Sequence, residues 1–132
     1  MPLDDFSLRA FFDQYFDVFA ACVRGEREIA DVLHFYGLPV ILTSQHGVTT
    51  ATTDNETPAI MLGQIDALRE AGYQRTIVRR DDVNVINAAS ALCTATFSHR
   101  DRTGDEIDEA TITFLVIETS AGQKIAVRAV HG

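Results

Sequence analysis

The most regular pattern of apolar and polar positions lies near the start of the chain. Between Phe6 and Arg24, apolar residues recur so that, at about 100° per residue, they fall within one arc of roughly 160°. Polar residues fall on the opposite side, which predicts an amphipathic helix packed against a core. The apolar arc consists of Leu8, Phe11, Phe12, Tyr15, Phe16, Val18, Phe19, Cys22 and Val23.

Two further helices and six strands are predicted downstream. Gly25 breaks the first helix, and after Gly72 the apolar period changes from about 3.6 residues to about 2. Thr57 is expected to cap the third helix, with Pro58 at its first position. The predicted helices are Phe6–Arg24, Glu26–His34 and Pro58–Ala71, and the predicted strands are Leu38–Ser44, Val48–Thr53, Tyr73–Asn87, Ser90–Arg102, Ile107–Thr119 and Lys124–His131.

This order of elements, α-α-β-β-α-β-β-β-β, defines the expected fold class. Helices and strands are largely segregated, which favours an α+β layer fold over alternating β-α units. The last four strands are joined by tight turns and are expected to form an antiparallel meander with helices on one side. A chain of 132 residues is expected to form one domain, residues 1–132.

Charge and composition exclude several classes of function. The formal net charge of −8 argues against binding a nucleic-acid backbone, which needs a basic surface. No segment has the roughly 18 consecutive apolar residues of a membrane span. The start of the chain lacks the basic and apolar regions of a signal peptide, so a cytoplasmic protein is expected. Cys22 and Cys93 lie in apolar segments, which favours two buried free thiols.

Sequence motifs for metals and cofactors are missing. The four histidines are scattered, with none of the spacings typical of a metal site. Glycines do not cluster as in a nucleotide-binding loop, and no G-x-S-x-G motif is present. We therefore expect neither a metal nor a cofactor.

Three local strings, together with the element order, resemble one superfamily. They are Gln14-Tyr15 followed by Gly25, the segment Thr57-Pro58 through Leu68, and the endings Thr111–Phe114 and Lys124–His131. They are similar to the nuclear-transport-factor-2-like superfamily of cystatin-like α+β cones, which includes ketosteroid isomerase and SnoaL-like polyketide cyclases. The resemblance implies a curved, mainly antiparallel sheet wrapped around helices and a pocket with an apolar floor.

The resemblance also implies which residues to compare with the catalytic groups of ketosteroid isomerase. That enzyme uses a tyrosine and a protonated aspartic acid as an oxyanion hole, and a second aspartate as base. Tyr15 matches the tyrosine. Thr43 or Ser44 occupies the position of the base, and Ala110-Thr111 that of the second acid. Because two of the three positions do not carry the catalytic acids of that enzyme, steroid isomerisation by that mechanism is not expected.

Tyr15 and His34 are the candidate catalytic residues. A buried phenol needs a hydrogen-bond partner, because leaving it unpaired costs on the order of 1–3 kcal/mol. Tyr15 therefore either anchors a polar contact in the core or polarises a ligand oxygen. His34 is either a capping histidine at the end of a helix or a base facing Tyr15. His99 lies either near the rim of the pocket or at a solvated strand end.

The leading functional hypothesis is a protein that binds a compact, mostly apolar organic molecule in an internal pocket. If this protein is an enzyme, the expected chemistry is proton transfer of an isomerase, cyclase or hydratase type. The alternative is a non-catalytic, dimerising accessory or scaffold module with a filled cone. A homodimer through the outer sheet face is expected, because threonines alternate with apolar residues on the long strands. The expected pocket walls are Phe19, Met61, Ile65, Cys93, Phe97 and Phe114.

Overall fold

The computed structural model describes residues 3–53 and 56–132. Within those ranges the predicted order of elements is confirmed. The helices are α1 (Asp5–Val23), α2 (Ile29–Leu33) and α3 (Glu56–Glu70), and the strands are β1 (Tyr36–Ser44), β2 (Gly47–Ala51), β3 (Tyr73–Asn87), β4 (Ser90–Asp101), β5 (Glu106–Thr119) and β6 (Gly122–Val130).

The helix boundaries follow from local chemistry. Asp4 accepts a hydrogen bond from the Ser7 amide at 2.7 Å, and the Ser7 hydroxyl accepts one from the Asp4 amide at 3.3 Å. This reciprocal arrangement satisfies amides that the first turn leaves free. Gly25, with a φ of 81°, ends α1 in a conformation that suits glycine. The turn that follows delays α2 to Ile29, so this helix is shorter than predicted.

The start of α3 was expected at Pro58 with Thr57 as its cap. The helix begins earlier, at Glu56, whose carboxylate accepts hydrogen bonds from the hydroxyls of Thr52 and Thr53. The side chains of Thr57 and Pro58 lie outside the described part of the chain. No helix within the described ranges is long and apolar enough to cross a membrane.

The six strands form one sheet in the order β2-β1-β6-β5-β4-β3. Strands β3 to β6 form the predicted antiparallel meander. The β1–β2 hairpin joins this meander by a parallel pairing of β1 with β6. This one parallel pair places the start of β1 beside the last strand and brings Tyr36 opposite Ile125.

The core lies between the concave sheet face and the helices. Residues of β4 alternate, with Ala91, Cys93, Ala95, Phe97 and His99 facing inward and all buried. On the helix side, α1 and α3 each contribute an apolar stripe. Among the described residues of these two helices, those at most 5% exposed are Leu8, Tyr15, Phe19, Cys22, Val23, Met61, Ile65 and Leu68.

Two positions on α1 offer a matched test of this packing. Leu8 is 0% exposed, whereas Phe6 is 84% exposed. We expect Leu8→Ala to lower the free energy of unfolding by about 2–5 kcal/mol, because it leaves a cavity in the core. Phe6→Ala, the control, should change it by less than about 0.5 kcal/mol. Urea unfolding followed by circular dichroism measures both; equal losses would contradict the assigned face of α1.

Candidate functional site

A hydrogen bond between two tyrosines lies at the centre of the core. The hydroxyl oxygens of Tyr15, on α1, and Tyr36, at the start of β1, are 2.5 Å apart. The two residues are only 3% and 5% exposed. The structure therefore gives Tyr15 a polar contact in the core, which was one of the two expectations for this residue.

Aromatic rings surround Tyr15 on most sides. Four of the five neighbouring phenylalanine rings meet it edge-on, an arrangement in which the quadrupoles of the two rings attract each other. The fifth ring, that of Phe19, is stacked with its centroid 6.3 Å away. This packing fixes the direction of the phenol toward Tyr36. The five rings belong to Phe12, Phe16, Phe19, Phe35 and Phe114.

His99 is buried, although its place near a strand end and the charged residues after it allowed a solvated position. It is 3% exposed and packs against the rings of Phe19, Tyr73 and Phe97. Its Nδ1 atom lies 2.9 Å from the Thr76 hydroxyl. Its Nε2 atom has no hydrogen-bond partner. Burial lowers the pKa of His99, and the nearby charge of Asp108 opposes that shift.

Arg128 of β6 is the second polar side chain in this region. Its Nη2 atom donates a hydrogen bond to Gln64 Oε1 of α3 at 3.1 Å. Its Nε atom is buried and has no partner. Sequence reasoning missed Arg128, although it is the one charged residue in the otherwise apolar segment from Ile125 to Val130.

These residues line a small, partly open space that we call the interior cavity. Its volume is about 10 Å³. That volume is close to the minimum needed for one water molecule. Two of the rings that line the cavity also line the groove described next, and its other lining residues are Tyr15, Phe19, Gln64, Phe97, His99, Ile112 and Arg128.

A larger opening, the side groove, lies between α1 and strands β3, β4 and β5. Its volume is about 200 Å³ and it is partly open to solvent. Phe16 and Phe114 line both the groove and the interior cavity, so their rings form the wall between the two. The apolar floor of the groove consists of Phe12, Phe16, Val83, Cys93, Ala95 and Phe114.

Charged side chains form the rim of the side groove. Arg9 binds two carboxylates, Asp5 at 2.9 Å and Asp81 at 2.6 Å. Asp13 and Asp82 also line the groove and are exposed. The rim therefore carries more negative than positive charge, while the floor is apolar.

The expected pocket walls divide between these two spaces and the core. Phe19 and Phe97 line the interior cavity, Cys93 lines the side groove, and Phe114 lines both. Met61 and Ile65 are each 1% exposed and belong to the hydrophobic core on the α3 side.

Cys93 is a structural thiol. It is 5% exposed, and burial raises its pKa from 9.0 to about 11. The sulfur therefore stays protonated near neutral pH, when it is a poor nucleophile. Cys22 is also a buried free thiol.

The described contacts include no hydrogen bond or ring contact between His34 and Tyr15, so a base at His34 stays a prediction. His34 is exposed at the C-terminal end of α2, where its backbone carbonyl accepts a hydrogen bond from Lys124. Tyr15 is buried and uses its hydroxyl on Tyr36. The histidine that lines the interior cavity with Tyr15 is His99.

Among the described residues, no cluster of three or more histidine, cysteine, aspartate or glutamate side chains has the arrangement of a metal site. The described side chains that line the interior cavity likewise include no carboxylate. Thr43 and Ala110, at positions compared above with the catalytic acids, are partly buried on β1 and β5.

The fold and its aromatic interior define a cystatin-like, NTF2-like protein. The sequence matches the family described as NTF2-like protein (DUF6841) over residues 4–132, and the chain belongs to that family. No curated protein matches the sequence.

Solved structures share the fold at low sequence identity. A cystatin-like protein of unknown function from Nostoc punctiforme superposes with a TM-score of 0.71 at 11% identity, covering 99% of this chain and 94% of that one. An NTF2-like protein of unknown function from Shewanella oneidensis gives 0.70 at 13% identity, with 94% and 98% covered. The yeast UBP3-associated protein BRE5 gives 0.67 at 19% identity, with 93% and 91% covered. At these identities the likeness shows the fold alone.

The tyrosines give a test of the interior by pH. The chain has three, and burial raises the pKa of Tyr15, Tyr36 and Tyr73 above the ordinary value of 10.0. Above pH 10.0 the unfolded chain releases protons that the folded chain keeps, so stability should fall as pH rises. We expect tyrosinate absorbance to appear only together with unfolding. The urea-unfolded chain is the control and should titrate near 10.0. Tyrosinate absorbance at that pH with intact circular dichroism would contradict the burial of these phenols.

Proposed function

We propose that this NTF2-like protein binds a compact, mostly apolar organic molecule in the side groove. The observation that carries the proposal is the groove itself: a partly open space of about 200 Å³ with a floor of phenylalanine, valine, alanine and cysteine side chains. Concave apolar sites with a few polar groups at the edge are typical of small-molecule binding.

The size and lining of the groove set the class of ligand. Binding pockets for larger ligands usually span about 300–1,000 Å³, so this groove suits a single ring with small substituents. The rings of Phe12, Phe16 and Phe114 offer faces and edges for stacking. A ligand of about ten non-hydrogen atoms in such a site is expected to bind with a dissociation constant between about 1 µM and 1 mM.

A proton-transfer reaction remains part of this proposal, but with different groups. From the sequence, Tyr15 is expected to polarise a ligand oxygen and His34 to act as the base. The carboxylates at the groove are Asp13, Asp81 and Asp82, of which Asp81 is paired with Arg9. We propose that Asp13 or Asp82 acts as the base in any such reaction, because a carboxylate at the rim can reach a ligand whose ring rests on the floor.

Binding in the groove can be tested with indole and p-cresol as probes. We expect wild type to bind at least one of them saturably, measured by chemical-shift changes in a nitrogen–proton correlation spectrum. Val83→Phe should weaken that binding about tenfold or more, because the added ring fills the groove. Val85→Phe is the matched control: Val85 lies on the same strand, is 40% exposed and does not line the groove.

The outcome separates groove binding from surface adsorption. Equal affinity of the two valine variants would place the probes elsewhere. A lack of saturable binding to wild type at millimolar concentrations of both probes would count against the proposed ligand class.

A second candidate function, the non-catalytic dimerising module, is favoured by two observations. The interior cavity is only about 10 Å³, so this part of the cone is nearly filled. On the outer sheet face, one row of four apolar side chains crosses four adjacent strands. The pairing registers place Leu92 beside Leu115, Leu115 beside Val127, and Val127 beside Ile41.

Threonine pairs beside this row reduce the polarity of the same face. Thr94 hydrogen-bonds to Thr113 at 2.9 Å, and Thr96 to Thr111 at 2.8 Å. Hydroxyls that are paired with each other lose less on removal from water than unpaired ones. We propose that a second copy of this chain covers the row. A scaffold role is compatible with the name of one structural neighbour, the yeast UBP3-associated protein.

The dimer proposal predicts a charge-sensitive association. We expect wild type to sediment as a dimer at micromolar concentration, and Leu92→Lys to shift it to monomer, because the charge would be buried in the interface. Leu62→Lys, on α3, is the control with nearly the same exposure, 41% against 39% for Leu92. A monomeric wild type would overturn the proposal, as would equal dissociation of both variants.

A further inference from the structure

The interior cavity contains a cationic side chain without a counter-ion. Arg128 donates to the neutral amide oxygen of Gln64, and its buried Nε atom has no hydrogen-bond partner. Across residues 3–53 and 56–132, no carboxylate forms an ion pair with this guanidinium. Arg128 as a whole is partly buried, and a buried donor atom that has no acceptor is unfavourable.

His99, a buried side chain, also lines this cavity and lacks one hydrogen-bond partner. His99 is only 3% exposed, and its Nε2 atom has no hydrogen-bond partner. The nearest carboxylate oxygen, Asp108 Oδ1, lies 3.9 Å from Nε2. That distance is too long for a hydrogen bond, and the Asp108 side chain is itself 57% exposed.

The contacts on the other side of the imidazole indicate what Nε2 needs. Tyr73 and Thr76 have their hydroxyl oxygens 2.6 Å apart, and the Thr76 oxygen lies 2.9 Å from Nδ1 of His99. When Tyr73 donates to Thr76 and Thr76 donates to Nδ1, the proton of the neutral ring resides on Nε2. His99 Nε2 and Arg128 Nε are then both donors, so the missing partner is an acceptor.

We propose that the interior cavity is a binding site for a small anion, held between Arg128 and His99. The volume of about 10 Å³ leaves room for about one atom of the anion, of roughly the size of water. A halide ion and a single carboxylate oxygen share the required chemistry, since each is a compact, negatively charged acceptor. The site is separate from the side groove, because the rings of Phe16 and Phe114 lie between them.

Anion-specific stabilisation provides the test. Thermal unfolding is measured in sodium chloride, sodium formate and sodium isethionate at equal ionic strength, so that screening of the net charge of −8 is the same in each. We expect chloride or formate to raise the melting temperature by about 3 °C relative to isethionate, a larger sulfonate that has no carboxylate. The increase should disappear in Arg128→Met.

A matched variant controls for loss of charge alone. Arg100→Met removes a partly buried arginine that donates to Ser98 and to the carbonyl of Gly104. It should retain the anion-specific increase. An increase with chloride alone assigns a halide site, and one with formate alone assigns a site for a carboxylate oxygen; an equal response to both supports the shared chemistry.

Two results would overturn the proposal. One is identical melting of wild type in the three salts, which would leave a buried water as the acceptor. The other is an anion-specific increase that persists in Arg128→Met. If that variant fails to fold, crystals of wild type soaked in bromide and in formate decide: an anomalous bromide peak or formate density within hydrogen-bonding distance of Arg128 Nε supports the site, and the absence of both rejects it.

Discussion

The hydrogen bond between Tyr15 and Tyr36 fixes how the first helix lies on the sheet. A phenol on the apolar arc of α1 can be buried only where its hydroxyl finds a partner, and Tyr36 supplies one at the start of β1. Once this contact sets the rotation of α1, the rings of Phe12 and Phe16 point to the groove, and that of Phe19 to the interior cavity. Both candidate sites depend on this one contact.

Much of the fold could be predicted because its information is local. The change from helical to strand period after Gly72, and the turns around Gly104 and Gly122, are visible in short windows of sequence. The parallel pairing of β1 with β6 could not be seen in this way. It joins segments about 85 residues apart, and the apolar pattern of each strand does not specify which other strand it pairs with.

The candidate site was harder to predict for the same reason. His34 and His99 both lie at the ends of elements, and nothing in their neighbourhoods separates an exposed from a buried position. Only the rings of Phe19, Tyr73 and Phe97, brought together by tertiary packing, bury His99. The polar side chains of the interior cavity include the basic residues Arg128 and His99, whereas ketosteroid isomerase uses carboxylic acids in its site.

The wall formed by Phe16 and Phe114 has a consequence for how this protein can change by mutation. A substitution at either ring is pleiotropic, because it reshapes two compartments at once. Val83 and Ala95 line the groove but not the interior cavity, so a change at either reshapes only one of the two compartments. Substitutions on β3 and β4 can therefore change the groove alone. Substitutions of the two shared rings, on α1 and β5, change both compartments and are more constrained.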